Sequence, residues 1–250
     1  MANTYSTTLA RASSQSWTTG ASSTLNLTTT CTVEFWRKAT SNPSSGTVYG
    51  LITRDDAGAS GANRSWWIDY YNNGGTLQLR AGIQLDGLSA NFTYSTYNYT
   101  FSVGTWTHVA ITMDAAASTK FEFYINGSFA SNGTQSTVGV APTSFYNPTT
   151  PFKIGTYHNN SIYDDAQFDE VRFWNTKRTS SEISTNYNTE ISASSSGLVG
   201  YWQMENNGND STSNALNLTG NNSPTFTTDV PFGGGGGGPT LYPGLLIMTP

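Results

Sequence analysis

The sequence is poor in charged residues and has a single cysteine, and each shortage excludes a class of protein. Asp, Glu, Lys and Arg make up 11% of the 250 residues, whereas about a quarter is typical of soluble domains. Cys31 has no second cysteine to pair with, so a disulfide-stabilised scaffold is excluded. Because a largely apolar stretch follows it, we expect Cys31 to be a small buried residue rather than a reactive thiol.

The charges that are present do not gather in one place. The net charge is −5 at pH 7, and no run of Lys or Arg suits nucleic acid or an anionic membrane surface. No apolar stretch is long enough to cross a bilayer. Residues 1–11 lack the apolar centre of a secretory signal. We therefore expect no nucleic-acid partner, no membrane span and no leader in the chain as written.

Aromatic residues are plentiful instead, at 13% of the chain. Together with the abundant Asn, Ser, Thr and Gly, they favour short strands joined by long polar loops over disorder. Strands are predicted where β-branched and aromatic residues concentrate, at Cys31–Lys38, Val48–Arg54, Ser65–Tyr71, Thr76–Ile83, Trp106–Met113, Lys120–Ile125, Phe152–Thr156 and Leu198–Met204. The turn N-N-G-G at Asn72–Gly75 predicts a β-hairpin. The chain thus reads as one two-sheet antiparallel sandwich.

The segment Gln167–Tyr187 combines two periodicities. Phe168–Trp174 is predicted as a strand with two faces, one carrying Phe168, Glu170, Arg172 and Trp174 and the other Asp169, Val171 and Phe173. A short helix is predicted at Ser180–Tyr187, because Thr179 or Ser180 can cap it and Glu182 lies within range of a capping box.

Five segments of the chain carry a recognisable pattern in a fixed order: Ser23–Lys38, Thr105–Ser128, Phe152–Gly155, Asp169–Ile183 (D-E-V-R-F-W-N-T-K-R-T-S-S-E-I) and Gly197–Gly220. Together they resemble the laminin-G-like branch of the concanavalin A-like lectins and glucanases, over about residues 5–225. The resemblance implies an all-β, two-sheet antiparallel jelly-roll sandwich, usually extracellular or on a surface. It does not select a function, because members include glycan binders, adhesive modules and virion proteins.

The resemblance also implies a structural calcium ion. Many relatives hold one with the aspartate of the D-E-V-R strand and carbonyl groups from neighbouring segments, and Asp169 matches that position. The alternative is a strand aspartate whose carboxylate accepts hydrogen bonds from nearby N–H groups. A loop site is also open, with Asp55, Asp56, Asp164 and Asp165 as its candidate ligands.

Tyrosines alternate with Thr, Ser and Asn between Asp86 and Ser102. Tyr94, Tyr97 and Tyr99 are the glycan-binding candidates, since exposed aromatic rings can stack on sugars. The alternative is that these rings pack inward and supply buried area.

Catalysis is not expected. Enzymes of this superfamily use paired carboxylates in an E-x-D-x-x-E pattern, which the chain lacks. Asp169 and Glu170 are adjacent, so a regular strand would direct them to opposite faces. His108 has no Ser or Cys partner at a characteristic spacing and is expected to be structural.

The C-terminal segment differs from the rest of the chain. Residues 1–230 are predicted as the jelly-roll domain, and residues 231–250 as a glycine-rich linker and apolar tail. We expect the tail to dock on another protein subunit through its apolar residues, which are Leu241, Tyr242, Leu245, Leu246, Ile247 and Met248. The alternative is a tail that folds back on its own domain.

These features predict a non-catalytic, surface-displayed module of a larger assembly, most simply a decoration or fibre protein of a phage virion, with glycans as a further partner. A phage protein leaves its host by lysis and needs no leader. The alternative is a carbohydrate-binding lectin module of a secreted or cell-surface bacterial protein, from which a leader has been removed.

Overall fold

The computed structural model describes residues 3–56, 63–86, 90–158 and 160–233. Within these ranges the chain forms many short strands and one α-helix, α1 (Ser180–Asn186). The strands are β1 (Ser6–Leu9), β2 (Ser16–Thr19), β3 (Thr30–Ala39), β4 (Val48–Asp55), β5 (Arg64–Asn73), β6 (Thr76–Gln84), β7 (Phe92–Asn98), β8 (Trp106–Asp114), β9 (Phe121–Ile125), β10 (Ser128–Ser131), β11 (Thr134–Val138), β12 (Lys153–Ile154), β13 (Thr156–Tyr157), β14 (Ile162–Tyr163), β15 (Ala166–Trp174), β16 (Leu198–Trp202), β17 (Leu218–Asn221) and β18 (Thr225–Thr227).

Two large antiparallel sheets form a sandwich. Sheet A has the strand order β10-β9-β8-β3-β15-β1-β18, and β16 also pairs with β15. Sheet B has the order β11-β7-β6-β5-β4-β12-β2-β17. Strands β13 and β14 form a separate two-stranded sheet. The all-β jelly-roll sandwich predicted from the sequence is therefore confirmed.

The core between the sheets is rich in aromatic rings. Phe152 stacks on Trp202 with ring centroids 4.6 Å apart, and Trp66 lies 5.6 Å from Phe173. All four side chains are fully buried. Burying an apolar side chain of this size contributes roughly 1.5–3 kcal/mol, so these contacts hold the two sheets together. Cys31 is buried in the same core, as expected.

A β-bulge in β15 overturns the strict alternation predicted for Phe168–Trp174. The register of β15 against β3 shifts between Asp169 and Arg172, and Glu170 has a φ of 50°. Because the bulge inserts one extra residue, Phe168 and Val171 both belong to the core. Asp169 and Glu170 are accordingly not separated onto opposite faces by a regular strand, and both are buried.

Helix α1 begins as the sequence predicts. The Thr179 side chain accepts a hydrogen bond from the Glu182 backbone N–H, and the Glu182 side chain accepts from the Thr179 backbone, which completes a capping box. Ile183 packs against Ala110 and Tyr124 on the outer face of sheet A. The helix thereby covers part of that face.

Beside α1, the outer face of sheet A buries a network of charged residues. Arg178 Nη1 lies 2.6 Å from Glu34 Oε1, and Arg172 Nη2 lies 2.7 Å from Glu170 Oε2. His108 is buried in the same layer, with its Nε2 3.6 Å from Glu34 Oε2. Its ring packs edge-on against aromatic neighbours. The structure thus places His108 in a packed structural layer.

Candidate functional site

Polar and aromatic side chains line the outer face of sheet B. Strand β6 shows how the sequence produces this face. Leu79, Ala81 and Ile83 face the core and are buried, so Arg80 and Gly82 lie on the opposite face. Residues of β5 and β7 that pair with Arg80 and Gly82 lie on the same outer face.

Cross-strand pairing fixes which outer side chains are neighbours. On β7, Tyr94 pairs with Gly82 of β6 and with Ser136 of β11. Thr96, two residues further along, pairs with Arg80 and with Thr134. The outer side chains of the four strands from β11 to β5 therefore form one continuous surface.

A groove runs across this surface and has two ends, which share Arg80 and Tyr94. The polar end is a depression of about 620 Å³. Its lining is rich in hydroxyl and amide side chains and includes Tyr71, Asn73, Gln78, Thr96, Asn98, Ser131, Thr134 and Ser136. The aromatic end is smaller, about 290 Å³. It is lined by Arg64, Trp67, Phe92, Val138 and Tyr157 in addition to the two shared residues.

The floor of the aromatic end is the indole ring of Trp67, which lies over Gly82. A Cβ atom built on Gly82 would lie only 2.1 Å from Cζ2 of Trp67. Only glycine leaves room for the ring to rest on the strand at this position. Phe92 meets Trp67 edge-on at 5.8 Å, and Tyr94 follows Phe92 with ring centroids 6.0 Å apart.

Two arginines lie in the groove, and each is paired with a buried carboxylate. Arg80 donates from Nε and Nη2 to the two oxygens of Asp69, at 2.7 and 2.8 Å. Its guanidinium lies 4.3 Å from the centroid of the Tyr71 ring. Arg64 Nε donates to Asp55 at 3.0 Å. The groove therefore has little uncompensated charge.

The ionisation of the groove residues follows from these contacts. Burial lowers the pKa of Arg80, but the charge and hydrogen bonds of Asp69 outweigh burial and raise it overall. Burial first, and then the charge of Asp69, raises the pKa of Tyr157. Arg80 is therefore a permanent cation and Tyr157 a neutral phenol at physiological pH, so the groove offers hydrogen bonds and aromatic rings rather than a titrating acid–base pair.

The structure separates the three predicted tyrosines. Tyr94 lies in both ends of the groove. Tyr97 borders the polar end, but its ring also packs on Phe123 of sheet A, with centroids 5.7 Å apart. Tyr99 packs edge-on against the buried Phe101 at 5.0 Å. Tyr94 therefore lines the groove, whereas Tyr97 and Tyr99 supply mainly core contacts. Glycan binding by these tyrosines stays a prediction.

Asp169 accepts hydrogen bonds on both carboxylate oxygens, from Asn3 Nδ2 at 3.0 Å and from the backbone N–H of Glu170 at 2.9 Å. Burial, and next the charge of Glu170, raises the pKa of Asp169 well above its usual range. Asn3 Oδ1 is also buried, without a hydrogen-bond partner among the described residues. These oxygens fit a calcium ion in kind, but backbone carbonyls or water would have to complete its ligands. Calcium binding stays a prediction.

The loop acids proposed as an alternative metal site each have a separate partner. Asp55 pairs with Arg64, Asp56 with Lys153, Asp164 with Arg37, and Asp165 with Ser41. Among the described residues, no three His, Cys, Asp or Glu side chains come together in a metal-binding arrangement.

The chain lies on its own sheet A as far as Phe232, whose ring packs edge-on against Trp36 at 5.9 Å. The Asp229 side chain accepts hydrogen bonds from Lys38 and from Trp106 Nε1. The predicted docking residues, Leu241, Tyr242, Leu245, Leu246, Ile247 and Met248, lie outside the described residues. Docking of the tail on another subunit therefore stays a prediction.

In the described part of the chain, no helix is long and apolar enough to span a membrane.

Most groove residues were not singled out from the sequence. Trp67 and Arg80 sit on a correctly predicted hairpin, but they join the site only through the order of strands in sheet B. Strand β11, which supplies Ser136 and Val138, was not predicted at all. One sequence pattern could have located part of the groove. The alternation in T-L-Q-L-R-A-G-I places apolar residues on one face of the strand and predicts that Arg80 lies on the outer face.

This architecture, a two-sheet antiparallel sandwich, defines a jelly-roll protein. The sequence profile of the concanavalin A-like lectin/glucanases superfamily matches residues 11–184. The chain belongs to this superfamily. A search of functionally curated proteins found no match.

Two solved structures illustrate the likeness of fold. A candidate carbohydrate-binding protein from Bacteroides ovatus has a TM-score of 0.62 and 17% identity, and the match covers 93% of this chain and 62% of that protein. This chain therefore spans less than two thirds of that relative's length. A heptameric SAP-like pentraxin from Limulus polyphemus has a TM-score of 0.52 and 14% identity, with coverages of 85% and 94%.

Proposed function

We propose that this chain is a carbohydrate-binding, lectin-like module that holds glycans in the groove of sheet B. The observation that carries the proposal is the combination of surfaces in that groove. Tyr94 and Phe92 present neighbouring aromatic rings, and the polar end adds the hydroxyl and amide groups that pair with sugar hydroxyls. Ligand sites of this kind combine apolar walls with a few placed polar groups.

The comparisons support this function more than a role in a virion. The Bacteroides ovatus protein is described as a candidate carbohydrate-binding protein, and the superfamily takes its name in part from lectins. Neither comparison points to a phage particle. At these identities the shared feature is the fold, so the argument for glycan binding rests on the groove.

We further propose that the module is non-catalytic and acts outside the cell or on a surface. The buried carboxylates of Asp55 and Asp69 are engaged by the two arginines of the groove. On β15, Glu170 accepts hydrogen bonds from Arg172 and Tyr201 and is buried. These contacts leave the carboxylates poorly placed to act as the exposed acid and base of glycan hydrolysis.

Glycan-array binding of the purified chain and of Tyr94→Ala tests the function. Tyr94 is only partly buried and lies outside the core cluster, so its removal should preserve the fold. Losing one stacking ring should weaken binding at least about tenfold. Tyr5→Ala is the matched control, because Tyr5 is also partly buried but precedes β1 on sheet A. Absence of binding to any glycan, or equal binding by Tyr94→Ala, would contradict the proposal.

A further inference from the structure

Resting on the proposed function, we propose that the groove selects a neutral sugar that bears an acetamido group, with the methyl of that group in the aromatic end. Three features of the groove lead to this ligand class. They are its charge balance, the apolar walls of its smaller end and one hydrogen-bond donor at the junction of its two ends.

The charge balance favours a neutral ligand. Asp69 engages Arg80 through two hydrogen bonds, and Asp55 engages Arg64. An acidic sugar would have to compete with carboxylates that are already buried against these cations. The chain as a whole also has a net charge of −5. Neither arginine therefore offers a uronic or sialic acid an uncompensated positive charge.

The aromatic end is suited to a small apolar group rather than to a bare hydroxyl. Trp67 forms its floor, and Phe92 and Val138 face each other across β7 and β11. Val138 is 44% exposed, so a ligand methyl placed there removes apolar surface of both molecules from water. A sugar hydroxyl at the same place would lose hydration, and neither Phe92 nor Val138 could form a hydrogen bond with it.

Where the two ends of the groove meet, Arg80 provides a hydrogen-bond donor for the polar part of the acetamido group. Arg80 lines both ends of the groove. Its Nε and Nη2 donate hydrogen bonds to Asp69, whereas its Nη1 makes no hydrogen bond to any described residue. Nη1 can therefore donate to the carbonyl oxygen of an acetamido group whose methyl lies in the aromatic end. A charged donor of this kind makes a stronger hydrogen bond than a neutral one.

Calorimetric titration with N,N′-diacetylchitobiose and with cellobiose tests the inference. Both are neutral β-1,4-linked disaccharides that differ in the acetamido group. We expect the acetylated sugar to bind about tenfold more tightly, the order expected from burying one methyl group and adding one hydrogen bond. Val138→Ser should lower that preference about threefold, because it removes an apolar wall. Val103→Ser is the control, since Val103 is also exposed, at 55%, and lies outside the groove.

The possible failures are distinguishable. Equal affinities for the two disaccharides, both lost in Tyr94→Ala, would overturn the acetamido assignment and leave the glycan-binding groove standing. An unchanged preference in Val138→Ser would overturn the placement of the methyl group. Absence of binding to these sugars and to every glycan on an array would overturn the proposed function itself.

Discussion

The substitution Gly82→Ala tests whether the ring of Trp67 lies directly over Gly82 and forms the floor of the groove. Gly82 lies in the interior of β6, where alanine alone would stabilise the strand by about 0.5–1 kcal/mol, because glycine loses more conformational freedom on folding. Here the new Cβ would lie 2.1, 2.2 and 2.4 Å from Cζ2, Cη2 and Cε2 of Trp67. To reach 3.0 Å from the nearest of these atoms, the ring must move by 3.0 − 2.1 = 0.9 Å.

The surroundings resist that movement. Arg64 lies over the Trp67 ring at 4.9 Å from its centroid, and Phe92 contacts its edge. Overpacking of this kind costs about 1–3 kcal/mol. Gly82→Ala should therefore lower the melting temperature, by roughly 2–4 °C for each kcal/mol at this chain length, and should weaken glycan binding. Gly20→Ala is the matched control, since no atom lies within 4 Å of a Cβ built there.

A double-mutant cycle isolates the contact. Trp67→Leu removes the indole ring, so Gly82→Ala should become stabilising in that background. The coupling between the two sites should be about 2 kcal/mol, within the range for residues in contact. Thermal and chemical unfolding of the four proteins measure it. Additive effects, or a Gly82→Ala protein as stable as the original, would refute the placement of Trp67 over Gly82.

Three further substitutions probe charges in the fold. Asp69→Asn leaves the positive charge of Arg80 without a partner, so it should destabilise the fold by about 3 kcal/mol. The variant should also bind digalacturonate, as measured by calorimetry. An unchanged preference for neutral over acidic sugars would contradict the charge argument. If Asp169 binds calcium, EDTA should lower the melting temperature, and Asp169→Ala should abolish that sensitivity, since a ligand of the folded state stabilises it. Identical melting curves with and without EDTA would reject the site. Burial lowers the pKa of His108 from 6.5 in the folded protein. As the pH falls, His108 therefore becomes protonated first in the unfolded chain, and stability should decrease below about pH 6.5. Burial raises the pKa of Glu34, but His108 and nearby arginines lower it to about 2, so acidification from 4.5 towards 2 should remove further stability. Urea unfolding across this range should show both losses, and His108→Gln should lack the first.

Local patterns were sufficient to predict most of the sandwich. The hairpin of β5 and β6 follows from two alternating segments around N-N-G-G, and α1 follows from Thr179 and Glu182. The bulge at Glu170 could not be predicted, because alternation assumes one residue per step and its positive φ depends on packing around β15. Strand β11 was missed because all five of its residues are exposed and four are polar.

The site was less predictable than the fold. Tyr94, Tyr97 and Tyr99 have similar sequence surroundings, yet Tyr94 lies in the groove and Tyr99 against Phe101. Strand β7 ends at Asn98, so alternation cannot be extended to Tyr99. The pairing of Arg80 with Asp69 depends on the register of β5 against β6, and Trp67 contributes to the site because Gly82 is opposite it. Such long-range neighbours are properties of the assembled sheet.

The central claim is that glycans bind in the groove of sheet B, and mapping amide chemical shifts during a titration tests it most directly. The ¹⁵N-labelled chain would be titrated with the neutral oligosaccharide that binds most tightly on the array. The account predicts that the largest shift changes fall on Arg80, Tyr94, Ser136 and their neighbours on β5, β6, β7 and β11. Changes confined to sheet A, or to loops away from the groove, would contradict it.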